Sequence, residues 1–141
     1  MRLFLDANVL FSAALRREGA ASNLLAFAGV GACELVTSAF VVAEVTRNLR
    51  VKAPEALGRW ERSITSVGIV VEADARLVDR IAVALPAKDR PVLAAALGCR
   101  ATVLVTGDRR HFGSLFGRAI GGTVVLPPRA ALDLLLADLQ G

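Results

Sequence analysis

Apolar residues along the chain alternate between two textures. Short β-branched or leucine-rich runs are separated by longer Ala/Leu stretches with helical spacing. The runs Arg2–Leu5, Leu35–Thr37, Gly68–Val71, Thr102–Val105 and Thr123–Leu126 predict strands. Between them the pattern predicts helices over Val9–Arg16, Ala20–Ala28, Ala39–Leu49, Glu55–Ser66, Asp74–Leu85, Pro91–Leu97 and Pro128–Leu139. The punctuation agrees: Gly29 and Gly31 close the second helix, Ser38 suits the N-cap of the third, and Pro128 sits near the first turn of the last. In Asp74–Leu85 the apolar Leu77, Val78, Ile81, Ala82 and Leu85 fall at helical spacing, and Pro86 ends the run. There is no internal repeat, low-complexity segment or linker. Strands alternating with helices predict one domain over residues 1–141, a three-layer α/β/α sandwich around a central, mainly parallel sheet. Ligands of such sheets bind beyond the carboxyl ends of the strands.

Composition narrows the class. At 141 residues, 55% of them hydrophobic and 21% charged, the chain can close its own core and is far from the polar make-up of a disordered protein. The charge-free stretch Gly19–Cys33 contains Ser22 and Asn23 and falls short of the roughly 20 apolar residues a membrane span needs. Asp6 interrupts the N-terminal apolar run, so no secretory leader is expected. Cys33 and Cys99 have neither metal-ligand spacing nor a close partner and read as thiols of a reducing cytoplasm. The formal net charge is +4, and of 17 basic residues only Lys52 and Lys88 are lysines. Arginine suits bidentate phosphate contacts, although an Arg- and Ala-rich codon usage gives the same ratio.

The carboxylates carry the chemistry. Asp6 directly follows the first strand, and Asp108 follows Thr102–Val105 by the turn Thr106-Gly107-Asp108, so both stand at strand carboxyl ends. Taken singly, Asp6 suits a helix cap and Asp108 an ordinary turn. Glu44 lies among Val41, Val42 and Val45 with no other charge before Arg47. It is either paired with Arg47 on a solvated face or directed into a cleft. Asp89 precedes Arg90-Pro91 at a helix start, the place of an N-cap worth about 1 kcal/mol. If the four converge, they form a like-charge cluster. Two unit charges about 4 Å apart repel by roughly 4 kcal/mol at an effective dielectric near 20. A fold keeps such a cluster only if a cation or protons neutralise it. With His111 the only histidine, the donors are essentially oxygen, which favours Mg²⁺ or Mn²⁺ over zinc. One or two such ions in an acidic pocket suit phosphodiester hydrolysis, because they activate water and stabilise attacking and leaving oxygens. With these four of the 13 acids set aside, nine acids remain against 17 bases, a surface suited to a polyanion.

These residues also carry a family resemblance. Leu5-Asp6-Ala7-Asn8-Val9-Leu10 resembles the opening motif of PIN-domain ribonucleases, and Ser38 through Ala43-Glu44 their second. Asp89 with Leu93-Ala94-Ala95-Ala96 resembles the third, and Leu104-Val105-Thr106-Gly107-Asp108-Arg109-Arg110-His111-Phe112 the fourth. The resemblance spans Arg2 to about Leu126, in order. It implies that Asp6, Glu44, Asp89 and Asp108 are the metal-binding and catalytic acids. It also implies that Asn8, Ser38 and Thr106 are supporting polar groups. Arg109, Arg110 and His111 follow the fourth acid, where they would reach the scissile phosphate or form a solvated basic turn. Many bacterial members resemble VapC-type toxins, which implies an RNA substrate, a cognate antitoxin protein and a homodimer. Gly107-Asp108 and the following Arg-Arg-His depart from the commonest fourth motif, which loosens the toxin subtype more than the fold.

Two other classes are testable. An aspartyl-phosphate phosphatase needs a second aspartate two residues after Asp6, where Asn8 stands. A receiver domain needs a lysine after a late strand, which neither Lys52 nor Lys88 supplies. A non-catalytic PIN-fold module for RNA or a partner would keep the fold while cutting nothing. Trp60 is read as a packing residue, and the absence of tyrosine leaves no evident stacking platform for bases.

Overall fold

The computed structural model describes residues 1–141. Its elements are β1 (Arg2–Leu5), α1 (Ala7–Leu15), α2 (Ala20–Gly29), β2 (Glu34–Ser38), α3 (Ala39–Lys52), α4 (Leu57–Ser63), β3 (Gly68–Val70), α5 (Ala75–Asp79), α6 (Arg90–Gly98), β4 (Val103–Val105), α7 (Arg109–Phe112), β5 (Ala119–Ile120), β6 (Thr123–Leu126) and α8 (Pro128–Gln140). The six strands form one sheet in the order β3-β2-β1-β4-β6-β5. Every pairing is parallel except β5 with β6. The α/β sandwich expected from the alternating pattern is therefore present, with one antiparallel edge hairpin that the sequence reading did not include. That hairpin turns at Gly121 and Gly122, both at positive φ, the region glycine enters without a Cβ penalty.

The strand order explains where a site forms. From β1 the chain moves outward to β2 and β3, then returns across β1 to β4 on its other side. The order reverses between β1 and β4, and a crevice opens beyond their carboxyl ends at such a switch point. Leu5 pairs with Val105, and the ladder continues as the Asp6 amide donates to the Val105 carbonyl at 3.0 Å. Asp6 and the Thr106–Asp108 turn are thereby fixed side by side. Beneath them β1 and β4 are buried on both faces: Leu3, Phe4, Leu5, Val103, Leu104 and Val105 all join one core of 35 buried residues. Trp60 is in that core, its indole Nε1 donating to Thr46 Oγ1 at 2.9 Å, in agreement with the packing role. No helix is long and apolar enough to cross a membrane.

One expected element is corrected. The helix predicted over Asp74–Leu85 runs only from Ala75 to Asp79. Its start is as expected, with the Asp74 side chain accepting from the Arg76 amide at 2.7 Å. Beyond Asp79 the apolar spacing persists, but the backbone finds other partners. Arg90, from the first position of α6, donates through Nη2 to the carbonyls of Val78 (3.0 Å) and Ile81 (2.8 Å). In a continued helix those carbonyls would accept from amides four residues on. Pro86 also bars Leu85 from helical backbone. Segment 80–89 is thus a loop tied down by one guanidinium. Arg90→Ala is expected to lower stability by about 1.5–3 kcal/mol, the range for hydrogen bonds from a charged group. Urea denaturation reads the loss, and hydrogen exchange should rise in residues 78–89.

Candidate metal centre

Asp6 is built into the end of β1. It caps α1, its Oδ1 accepting from the Ala7 amide at 2.8 Å. Oδ2 accepts from Thr106 Oγ1 (2.9 Å) and Asn8 Nδ2 (3.1 Å). Thr106 Oγ1 in turn accepts from the Asp108 amide at 3.2 Å, and Asn8 Oδ1 accepts from the Gly107 amide at 2.6 Å. The β1 and β4 ends are laced together, with a carboxylate at the centre surrounded by donors. A Cβ on Gly107 would stand 3.2 Å from Asn8 Oδ1, so the turn admits no side chain there without moving the amide. The helix-cap reading of Asp6 is met by this geometry, and the same carboxylate lines the cleft described next.

Asp6, Glu44, Asp89 and Asp108 line one cleft of about 390 Å³. Glu44 reaches it from α3 and forms no ion pair with Arg47 or any other basic residue. Asp89 does not cap α6: its backbone is helical and its side chain makes no cap hydrogen bond. The carboxylate turns instead toward His111, whose Nδ1 lies 2.9 Å from Asp89 Oδ2 and 2.9 Å from Asp108 Oδ2. The approach to Asp89 is close but poorly directed, so Asp89 Oδ2 and His111 Nδ1 are both buried without an aligned hydrogen bond. Asp108 caps the four-residue α7, its Oδ1 accepting from the His111 amide at 3.0 Å.

The carboxyls feel one another. Burial pushes the Asp6 carboxyl above its ordinary 3.8, against the hydrogen bonds from Thr106 and Ala7, and the charges of Asp89 and Glu44 add to the rise. Burial raises Asp89 as well; His111 and Lys88 oppose that rise, and Asp108 reinforces it. Both shifts stabilise the protonated form in the fold. Without metal, this contribution to stability is fully present below pH 3.8 and disappears as pH rises through the raised values. Melting temperature in EDTA is therefore expected to climb as pH falls through those raised values toward 3.8, with a shallower climb in Asp89→Asn. A divalent ion should reverse the slope, because protons then compete with it.

The donor set fits a hard divalent cation. Four carboxylates converge, and one buried carboxylate oxygen has no aligned donor. Asp89, Asp108 and His111 offer ligand atoms within 4.8 Å of one another, so the imidazole is available as a mixed-in nitrogen. The remaining expected residues divide. Asn8 lines the cleft and Thr106 holds Asp6 from beneath. Ser38 is buried as the N-cap of α3, accepting from the Val41 amide at 3.3 Å, and does not line the cleft. Arg109 and Arg110 are exposed, and Arg110 faces a neighbouring depression shared with His111 and Arg90. Sequence reasoning missed Phe11, Asn48, Lys52 and Lys88, which also line the cleft. The spacing Glu44, Asn48, Lys52 held the signal, since residues four apart share a helix face.

Fold and site together define an α/β protein with an acidic cleft at its topological switch point. The family model described as "PIN domain" matches residues 2–110, and the chain belongs to the PIN domain family. No curated protein matches the sequence. Among solved structures, the chain is similar to VapBC2 from Rickettsia felis bound to a DNA fragment from their promoter. There the TM-score is 0.65 and the identity 16%, over 90% of this chain and 98% of that one. It is also similar to FitAB bound to an IR36 DNA fragment, with a TM-score of 0.58 and 19% identity over 89% of this chain and 94% of that one. At these identities the likeness is one of fold.

Proposed function

We propose that this chain is a divalent-metal-dependent endoribonuclease, using Mg²⁺ or Mn²⁺, and the toxin half of a toxin–antitoxin pair. The convergence of Asp6, Glu44, Asp89 and Asp108 in one cleft carries the nuclease reading. A bound ion would supply activation of water and neutralisation of charge on the phosphodiester. The chain's own part is positional. Thr106, Asn8 and the Ala7 amide fix the Asp6 carboxylate, and Asp89, Asp108 and Glu44 complete the oxygen set around it. His111 stands between Asp89 and Asp108, its Nδ1 2.9 Å from a carboxylate oxygen of each.

The toxin reading rests on the family and on the two structural neighbours, the VapBC2 and FitAB complexes. An apolar groove between α2 and α8, flanked by the exposed Val30 and Leu136, offers surface for a protein partner. Incubation of purified protein with total and synthetic RNA in Mn²⁺, Mg²⁺ or EDTA tests the activity. Internal cuts in either metal, absent in EDTA, are the expected result. RNA binding without cuts in any metal would instead identify a non-catalytic PIN-fold module.

A further inference from the structure

We propose that Lys52 and Lys88 form a two-point phosphate clamp that seats a polynucleotide backbone across the carboxylate cleft, an inference that rests on the nuclease reading of that cleft. The chain has 17 basic residues and only two lysines, and those two, with no arginine, line the cleft. Neither ammonium comes within 4.0 Å of a carboxylate, although four carboxylates share the same walls. Two cations thus border an acidic site without being consumed by it.

The choice of lysine has a physical reason. A guanidinium beside converging carboxylates would clamp them through two parallel N–H bonds and occupy the oxygens a metal needs. An ammonium is a compact point charge on a flexible stem. It engages a phosphate and leaves the carboxylates free. Four acids by themselves would repel the backbone of a nucleic acid, so the lysines mark where it is received.

The two positions differ. Lys88 directly precedes Asp89 and lies beside the acids. Lys52 lies two turns of α3 beyond Glu44, with Asn48 between, about 12 Å along the helix axis. It therefore meets a phosphate away from the reacting one. Its Nζ stands 5.9 Å from the centroid of the Phe11 ring, which also lines the cleft, so the ammonium is held at the cleft edge. Arg50 and Lys52 both stand in the last turn of α3, where a basic side chain also favours the helix dipole.

The test uses the full chain with Lys52→Gln, Lys88→Gln and Lys52→Arg. Binding of a fluorescent oligouridylate of roughly twelve nucleotides, and of its DNA counterpart, is followed in Ca²⁺ across a KCl series. Each Gln variant should bind about fivefold to tenfold more weakly and lose about 0.7 from the log–log salt slope, the share of one single-strand phosphate. Lys52→Arg should recover the slope. In Mn²⁺, Lys52→Gln should lose several-fold more on the oligomer than on a dinucleotide, whereas Lys88→Gln should lose comparably on both. Calorimetry of Mn²⁺ reports whether the metal centre is intact in each variant. Wild-type salt slopes in both Gln variants, or a wild type that binds no oligomer, would overturn the clamp. Cutting by wild type with unchanged slopes sinks the clamp and leaves the nuclease. Binding with reduced slopes but no cutting in any metal supports the clamp and sinks the nuclease.

Discussion

Asp6→Asn is expected to remove divalent-cation binding from the cleft and to lower RNA cleavage by at least about a hundredfold. Loss of a mere supporting partner already costs roughly 10–100-fold in metal affinity or activity, and Asp6 is the central carboxylate. The environment explains why an amide cannot replace it. Asp6 accepts from Ala7 N, Thr106 Oγ1 and Asn8 Nδ2, a shell composed of donors only. The side-chain nitrogen introduced by Asp6→Asn would face the Asn8 amide donor or the Ala7 N–H. The threonine hydroxyl can rotate, but it already accepts from Asn8 and from the Asp108 amide. Against this, a buried like charge is removed, so the two effects on stability oppose each other and the melting temperature should move little. Circular dichroism, Mn²⁺ calorimetry and gel-resolved cleavage give the three readouts. A folded variant that still cuts with wild-type metal dependence would remove Asp6 from the mechanism.

Phe112→Ala is expected to lower stability by about 3–5 kcal/mol, read as a fall in the urea midpoint at constant slope. Phe112 is fully buried at the end of α7, and Leu115 one turn on is buried with it. A four-residue helix has no stability of its own, because nucleation is not repaid over so short a run. Its order comes from the Asp108 cap at one end and the Phe112 ring at the other. His111 lies between the two, its Nδ1 2.9 Å from an oxygen of both Asp89 and Asp108, so removal of the ring should also loosen the site. Metal affinity should fall in this variant even under conditions where it remains folded. That secondary loss is the signature that α7 is a strut of the centre and not only part of the core.

Much of this was legible in the residues. The Asp6 cap, the Ser38 cap, the five parallel strands and the acids at two strand ends follow from local rules, because backbone preference and side-chain alternation act within a few residues. The PIN resemblance rested on the same short motifs. The helix over Asp74–Leu85 failed because a distant Arg90 competes for its carbonyls, a contact that periodicity does not encode. The β5 edge strand is two residues long, below the length at which alternation means anything.

The sequence by itself determined most of the elements, their order and the strand and helix ends at which the acids stand, since each of these depends on neighbours along the chain. Tertiary structure alone decided which way the side chains point. It turned Asp89 from a cap toward His111, drew Glu44 away from Arg47, kept Ser38 out of the cleft and brought both lysines into it. Such directions are set by packing between elements tens of residues apart. The crossing from β3 back to β4 places Asp108 beside Asp6, about a hundred positions away in sequence, and only a folded sheet makes them neighbours.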